Sequence, residues 1–156
     1  MDSKDFLDKA LGIEKKGFMF YTDCRNRSED EESKRIFKLL ATEELNHYRK
    51  FSEIHEKYLG TPPQESYFTL KAMEDGVFPK DDDIDDIIGK YSGQLDAVGR
   101  GIRTEDFSIT LYSGYLKSEK EENVRTIITQ IIKEEEGHKE RLLRLKDFLL
   151  NKGVKY

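Results

Sequence analysis

The stretch ATEELNHYRKF (Ala41–Phe51) lies inside a run in which Phe37, Leu40, Glu44, His47, Phe51, Ile54 and Tyr58 follow one another at steps of three and four. That step is the period of one face of an α-helix. The face is apolar except at two positions, so a carboxylate and an imidazole share the stripe that must turn toward the core. The stretch IKEEEGHKERL (Ile132–Leu142) repeats the arrangement, with Val124, Ile128, Ile131, Glu135, His138, Leu142, Leu145 and Leu149 on one stripe.

The two stretches are copies at a fixed offset of 91 residues. Glu14 stands 30 residues before Glu44 and 33 before His47, and Glu105 stands at the same distances before Glu135 and His138. Tyr21 and Tyr112 each fall seven residues past the lone glutamates. Glutamate fills 18 of the 156 positions, about one in nine, so two of three histidines sharing this whole pattern is a rare coincidence. The competing reading is a solvated, Glu-rich helix with surface histidines. The apolar neighbours oppose it.

Glu14 and Glu105 interrupt apolar stripes as well: Leu7, Leu11, Phe18 and Tyr21 in the first case, Val98, Ile102, Ile109, Tyr112 and Leu116 in the second. Burying six ionisable groups without compensation, at several kcal/mol each, would exceed the ~5–15 kcal/mol stability of an ordinary domain. A pair of divalent cations supplies the compensation. Residues at i and i+3 lie about 5–6 Å apart on one helix face, so each Glu-x-x-His can present two donors to neighbouring metal positions. Four carboxylates nearly neutralise two such ions, and each imidazole terminates one. Oxygen-rich ligation with two imidazoles and no thiolate favours iron or manganese over copper or structural zinc.

Composition narrows the setting. At 156 residues with 38% charged residues and three prolines, the chain suits one helical domain with long solvated faces. A net charge of −5 gives no electrostatic case for nucleic acid or an acidic membrane surface. No run approaches the roughly 18 apolar residues of a spanning helix. Met1–Asp8 is charged and lacks the apolar core of an export signal, so the expected compartment is the cytoplasm. Cys24 is the single cysteine, which excludes an intramolecular disulfide or a four-thiolate centre within the chain.

The pattern predicts helices over about Ser3–Arg27, from the Ser28/Glu31 capping box to the stop at Gly60, over about Gly93–Lys117, and from the Ser118/Glu121 capping box to Gly153. Gly99 and Gly101 weaken the first turns of the third. Between the pairs lies a long connection carrying Tyr67, Phe68 and Phe78. Its acidic run Asp81–Asp83 is read as the start of a short helix to about Ile88 rather than as a calcium loop, because EF-hand spacing is missing. The expected organisation is a single all-α domain over 1–156: helix pair 3–59, crossover 60–92, helix pair 93–152. Short links make each pair antiparallel, and the crossover makes the second and third helices parallel, as in ferritin-like bundles.

Other residues receive quieter readings. His55 has no Glu three positions before it and is read as a surface histidine. Glu43 and Glu134 repeat at the 91-residue offset but are rotated about 100° from their ligand neighbours, which suits a solvated role or one behind the ligands. Tyr21 and Tyr112 are either packing aromatics or donors to a ligand carboxylate. Cys24 is read as a small packing residue. Apolar residues outside the ligand stripes (Ile13, Phe20, Ile36, Ile127, Leu143) lead us to expect a homodimer.

On IEKKGFMFY (Ile13–Tyr21), ATEELNHYRKF, TEDFSITLY (Thr104–Tyr112) and IKEEEGHKERL, the chain resembles the rubrerythrin branch of the ferritin-like superfamily. The resemblance implies a non-haem centre of two iron ions, with manganese or zinc as occupants after purification, held by Glu14, Glu44, His47, Glu105, Glu135 and His138. It implies reduction of hydrogen peroxide or dioxygen with electrons from a small redox protein. Full-length rubrerythrins add a rubredoxin-like iron–thiolate domain. One cysteine cannot build it, so a separate donor is expected. Members with strong peroxidase activity carry a further glutamate three residues after the third-helix ligand, where this chain has Ser108, so a redox-driven ligand switch is not expected. Two other functions compete: a ferroxidase handling iron, and a non-catalytic metal-binding bundle.

Overall fold

A computed structural model describes residues 1–63, 71–73, 75 and 90–155. Four long helices carry the architecture: α1 (Ser3–Arg27), α2 (Glu31–Leu59), α3 (Gln94–Leu116) and α4 (Glu122–Asn151). Among the described residues there is no strand, and no helix is long and apolar enough to cross a membrane. The short helix expected over Asp81–Ile88, and Tyr67, Phe68 and Phe78, lie outside the described residues.

The helix ends follow local hydrogen-bonding chemistry. Asp2 caps α1 by accepting from the Asp5 amide at 2.8 Å. Asp30 caps α2 through the Ser33 amide at 2.8 Å. Both expected capping boxes are corrected here. Ser28 closes α1 instead, its hydroxyl donating to the Cys24 carbonyl at 2.7 Å. Ser118 likewise donates to Tyr115 O at 2.9 Å, while Glu121 caps α4. A serine just past a helix can satisfy an orphan carbonyl as readily as it can start the next helix. Arg125 reinforces the same corner by donating to the carbonyls of Leu116 and Glu119 at 2.6 and 2.7 Å. Gly60 ends α2 in the left-handed region at φ 78°, as its position predicts.

Cross-helix contacts fix the directions. Ser3, at the start of α1, bonds Tyr115 near the end of α3, and Tyr21 meets Glu105, so α1 and α3 are antiparallel. Tyr58, late in α2, bonds Glu119 just before α4, while His47 pairs with Glu134, so α2 and α4 are antiparallel. Gln94 at the start of α3 reaches Asp30 at the start of α2, at 3.0 Å, so those two helices run parallel. This is the single-crossover bundle expected from the sequence.

Aromatic layers close the core above and below its middle. Phe6 stacks on Tyr115 at 3.8 Å and packs edge-on against Phe51 and Tyr112, at 5.9 Å each. Tyr21 stacks on Phe37 at 6.2 Å on the other side. The third helix forms through its glycines, and Gly101 is needed for space: a Cβ there would meet Leu142 Cδ1 at 3.0 Å and Tyr21 at 3.3 Å. Two readings of side-chain placement change. His55 is buried, its ring Nδ1 2.8 Å from the Thr61 carbonyl, which fastens the end of α2 to the following turn. Phe20 and Ile36 are covered within the chain itself, whereas Leu143 and Leu150 on α4 are exposed.

Candidate metal centre

The middle of the bundle gathers the six residues that interrupt the apolar stripes. Glu14, Glu44, His47, Glu105, Glu135 and His138 are all buried. They form two overlapping groups, Glu14–Glu44–His47–Glu135 and Glu44–Glu105–Glu135–His138, each with one donor atom per residue within 4.8 Å of the others. Glu44 and Glu135 belong to both. The arrangement offers two candidate metal positions that have two carboxylates in common, each with one further glutamate and one histidine. The two imidazole rings lie 5.8 Å apart, inclined at 18°.

A fit to metal ions can be tested on the polar atoms themselves. Among the described residues seven buried atoms lack a hydrogen-bond partner: Glu14 Oε2, Glu44 Oε1, His47 Nδ1, Glu105 Oε2, both oxygens of Glu135, and His138 Nδ1. Each of the six residues contributes at least one. Distances among them are short, 2.9 Å from His47 Nδ1 to Glu135 Oε1 and 3.0 Å from His138 Nδ1 to Glu44 Oε1. Their angles do not make hydrogen bonds, so these are atoms aimed at a common space. An unsatisfied buried acceptor costs about 1–3 kcal/mol, more when charged, and such groups call for an explanation. A pair of cations at the convergence is the explanation the donor set fits: carboxylate oxygens and imidazole nitrogens, no sulfur.

The opposite edge of each imidazole is held by a carboxylate from the facing helix. His47 Nε2 lies 2.6 Å from Glu134 Oε2, and His138 Nε2 bonds Glu43. These bonds are crossed: Glu43 of α2 serves the histidine of α4, and Glu134 of α4 serves the histidine of α2. Both glutamates are about one-third exposed, so they connect the buried rings to solvent. They fix each ring with Nδ1 turned inward. The sequence signal was their shared 91-residue offset; which helix they faced required the fold.

Tyrosines cross in the same way on the α1–α3 side. Tyr21 donates to Glu105 Oε1 at 2.5 Å, and Tyr112 donates to Glu14 Oε1 at 2.7 Å. Both readings left open are met at once, since each tyrosine packs in an aromatic layer and donates to a carboxylate.

Electrostatics agree with a site built for cations. Burial, then Glu135, Glu14 and Glu105, pushes the Glu44 carboxyl well above its usual range. Burial and Glu135 raise Glu105 to about 8. Burial alone would lower the imidazoles, but Glu14 and Glu135 raise His47 to about 11, and Glu105 and Glu43 raise His138 to about 10. Without metal the centre holds extra protons to offset its own negative charge. By contrast, burial pushes the Cys24 thiol up to about 12, which suits the packing role expected for it. Ser108 is buried and donates to the Thr104 carbonyl at 3.0 Å, so it is turned back onto its own helix.

A family model described as Rubrerythrin matches residues 5–146, which include all six inward-facing residues. No curated protein matches the chain.

Proposed function

This chain belongs to the rubrerythrin family, and on that premise we propose that it is a non-haem di-iron oxidoreductase, reducing hydrogen peroxide or dioxygen with electrons from a separate small redox protein. In this reading Glu14, Glu44, His47, Glu105, Glu135 and His138 would hold the ions, with Glu44 and Glu135 belonging to both groups. The observation that carries it is the set of seven orphaned donor atoms, distributed over two overlapping groups.

Two ferrous ions held there would supply two electrons, the number that converts one hydrogen peroxide and two protons into two waters. The chain's own residues do the rest. Glu134 and Glu43 hold the imidazole planes, so that Nδ1 of each ring is presented inward. Tyr112 and Tyr21 fix one oxygen of Glu14 and of Glu105, leaving the other oxygen of each carboxylate free to bind. Burial, then the facing carboxylates, holds both phenols well above their ordinary range, so they remain donors at neutral pH. The aromatic layers above and below limit water at the centre. With Ser108 bonded to its own helix, that position offers no seventh carboxylate to the centre.

The test is anaerobic loading of the chain with ferrous iron, followed by rapid mixing with peroxide and with dioxygen. We expect about two irons bound per chain and oxidation of both. Absence of reaction with either oxidant would leave the non-catalytic metal-binding bundle as the reading. Reaction with dioxygen accompanied by a mineral core would favour a ferroxidase. We further propose that the protein is a cytoplasmic homodimer, with Leu143 and Leu150, one above the other on α4, covered by the second copy.

A further inference from the structure

We propose that the cleft between α1 and α3 binds a small organic carboxylate with an apolar body, seated over Gly17 against the carboxylates of the metal centre. The cleft measures about 440 Å³, within the range of small-molecule sites. Its chemistry is two-sided. Ile13, Phe20 and Phe107 make an apolar surface, and Lys16, Arg100 and Arg103 stand around it. On a chain of net charge −5, three cations around one apolar cleft are a local reversal of sign.

Arg100 and Arg103 both act on Asp96, and only the first forms a salt bridge with it. Arg100 makes an ion pair with Asp96 at 3.4 Å, but Lys16 and Arg103 have no salt-bridge partner among the described residues. Phe107 is 63% exposed, the largest such fraction among the exposed large hydrophobic side chains described. A ligand that covers Phe107 and places an anionic group between Lys16 and Arg103 gains apolar burial and a charge-assisted hydrogen bond together. Inorganic anions lack the first gain, and apolar neutral molecules lack the second.

Gly17 connects the cleft to the centre. It is buried, and a Cβ built on it would stand 2.6 Å from Glu44 Oε2. Gly17 thus lines the cleft and also lies against that carboxylate. The histidines enter from α2 and α4, so the cleft approaches the metal positions from the side the imidazoles leave open. A carboxylate seated there would control what reaches the centre from α1 and α3. This inference stands whether the loaded centre reduces peroxide, oxidises iron or does neither.

Octanoate titrated calorimetrically into the zinc-loaded full chain, with octylamine as the cationic counterpart, tests it without redox chemistry. We expect saturable binding of one octanoate per chain and none of octylamine. The Lys16→Gln/Arg103→Gln double variant should lose about tenfold or more in affinity, and Phe107→Ser should also weaken binding. All three positions are exposed, so zinc stoichiometry and helix content should be unchanged in these variants. If octanoate instead coordinated the metals, the double variant would bind as wild type does. That result, octylamine binding as well as octanoate, or no saturable octanoate binding would each overturn the proposal.

Discussion

The hydroxyl of Tyr21 on α1 lies 2.5 Å from Glu105 Oε1 on α3, a hydrogen bond between fully buried groups 84 residues apart. Its mirror, Tyr112 to Glu14, returns across the same seam at 2.7 Å. Each helix pair thus supplies the donor for the other pair's lone glutamate. The crossing couples the two halves of the internal repeat at the point where their charges converge, so packing of α1 on α3 and positioning of the carboxylates are one event.

Tyr21→Phe should therefore affect metal binding unequally at the two positions. It frees Glu105, which belongs to the group with His138, and leaves Glu14 tied. Loss of one buried hydrogen bond to a carboxylate should cost about 1–3 kcal/mol in stability. Metal titration should show one site weakened by roughly tenfold or more and one near wild type. Tyr112→Phe should give the reverse assignment. Wild-type affinity at both sites in both variants would reduce the tyrosines to packing aromatics.

Glu134→Ala removes the acceptor behind His47. Because Glu134 is about one-third exposed, water can replace it and the bundle should keep its helix content. The ring loses its fixed orientation, and metal affinity should fall by about 10–100-fold. Glu43→Ala should do the same through His138. Calorimetric titration with manganous ion reads both, and unchanged affinity would mean the crossed bonds do not orient the rings.

Much of this was visible in the linear sequence. Steps of three and four in α2 and α4, broken only by glutamate and histidine, specify a buried polar stripe because a helix has one period and a core has one side. What stayed hidden was what two helices do to each other. Ser28 and Ser118 stand where a cap belongs, but a hydroxyl can turn backward to Cys24 O or Tyr115 O as easily as forward. Phe20 and Ile36 lie off the main stripe, yet neighbouring helices cover them. Glu43 and Glu134 look solvated on their own helices and become partners of histidine only when the facing helix is in place. His55 lacks the Glu-x-x-His spacing, and its partner is a backbone carbonyl in the next turn, which no side-chain pattern records.

Gly17→Ala separates folding from metal binding. Alanine within a helix is favoured over glycine by up to about 1 kcal/mol, and the metal-free Glu44 side chain can turn away from the new methyl. Once metals are bound, Glu44 is expected to be held, and the methyl stands 2.6 Å from its Oε2. We expect a melting temperature equal to or above wild type without metal, and a reduced affinity for ferrous or zinc ions. Parallel loss of stability in the metal-free protein would show instead that Gly17 serves helix packing.

The strongest test joins pH to metal. In the metal-free fold Glu44 and Glu105 hold protons more tightly than an ordinary carboxyl near 4.5, Glu105 to about 8, and the imidazoles rise from 6.5 to about 10 and 11. All four shifts have one sign: the folded chain binds more protons than the unfolded one. Stability of the metal-free protein should then fall as pH rises, first between about 4.5 and 8 as the carboxyl contribution is lost, then from 6.5 upward through the imidazoles. Metal ions replace those protons, so the gain in melting temperature on adding metal should grow from pH 6 to pH 8. Glu135→Ala removes a shared carboxylate: it relieves repulsion in the metal-free state and leaves the ions under-coordinated in the loaded one. Thermal melts of both proteins at the two pH values, with chelator and with ferrous or manganous ion, decide the matter. Equal gains from metal in wild type and Glu135→Ala would mean that these six residues are not the ligands.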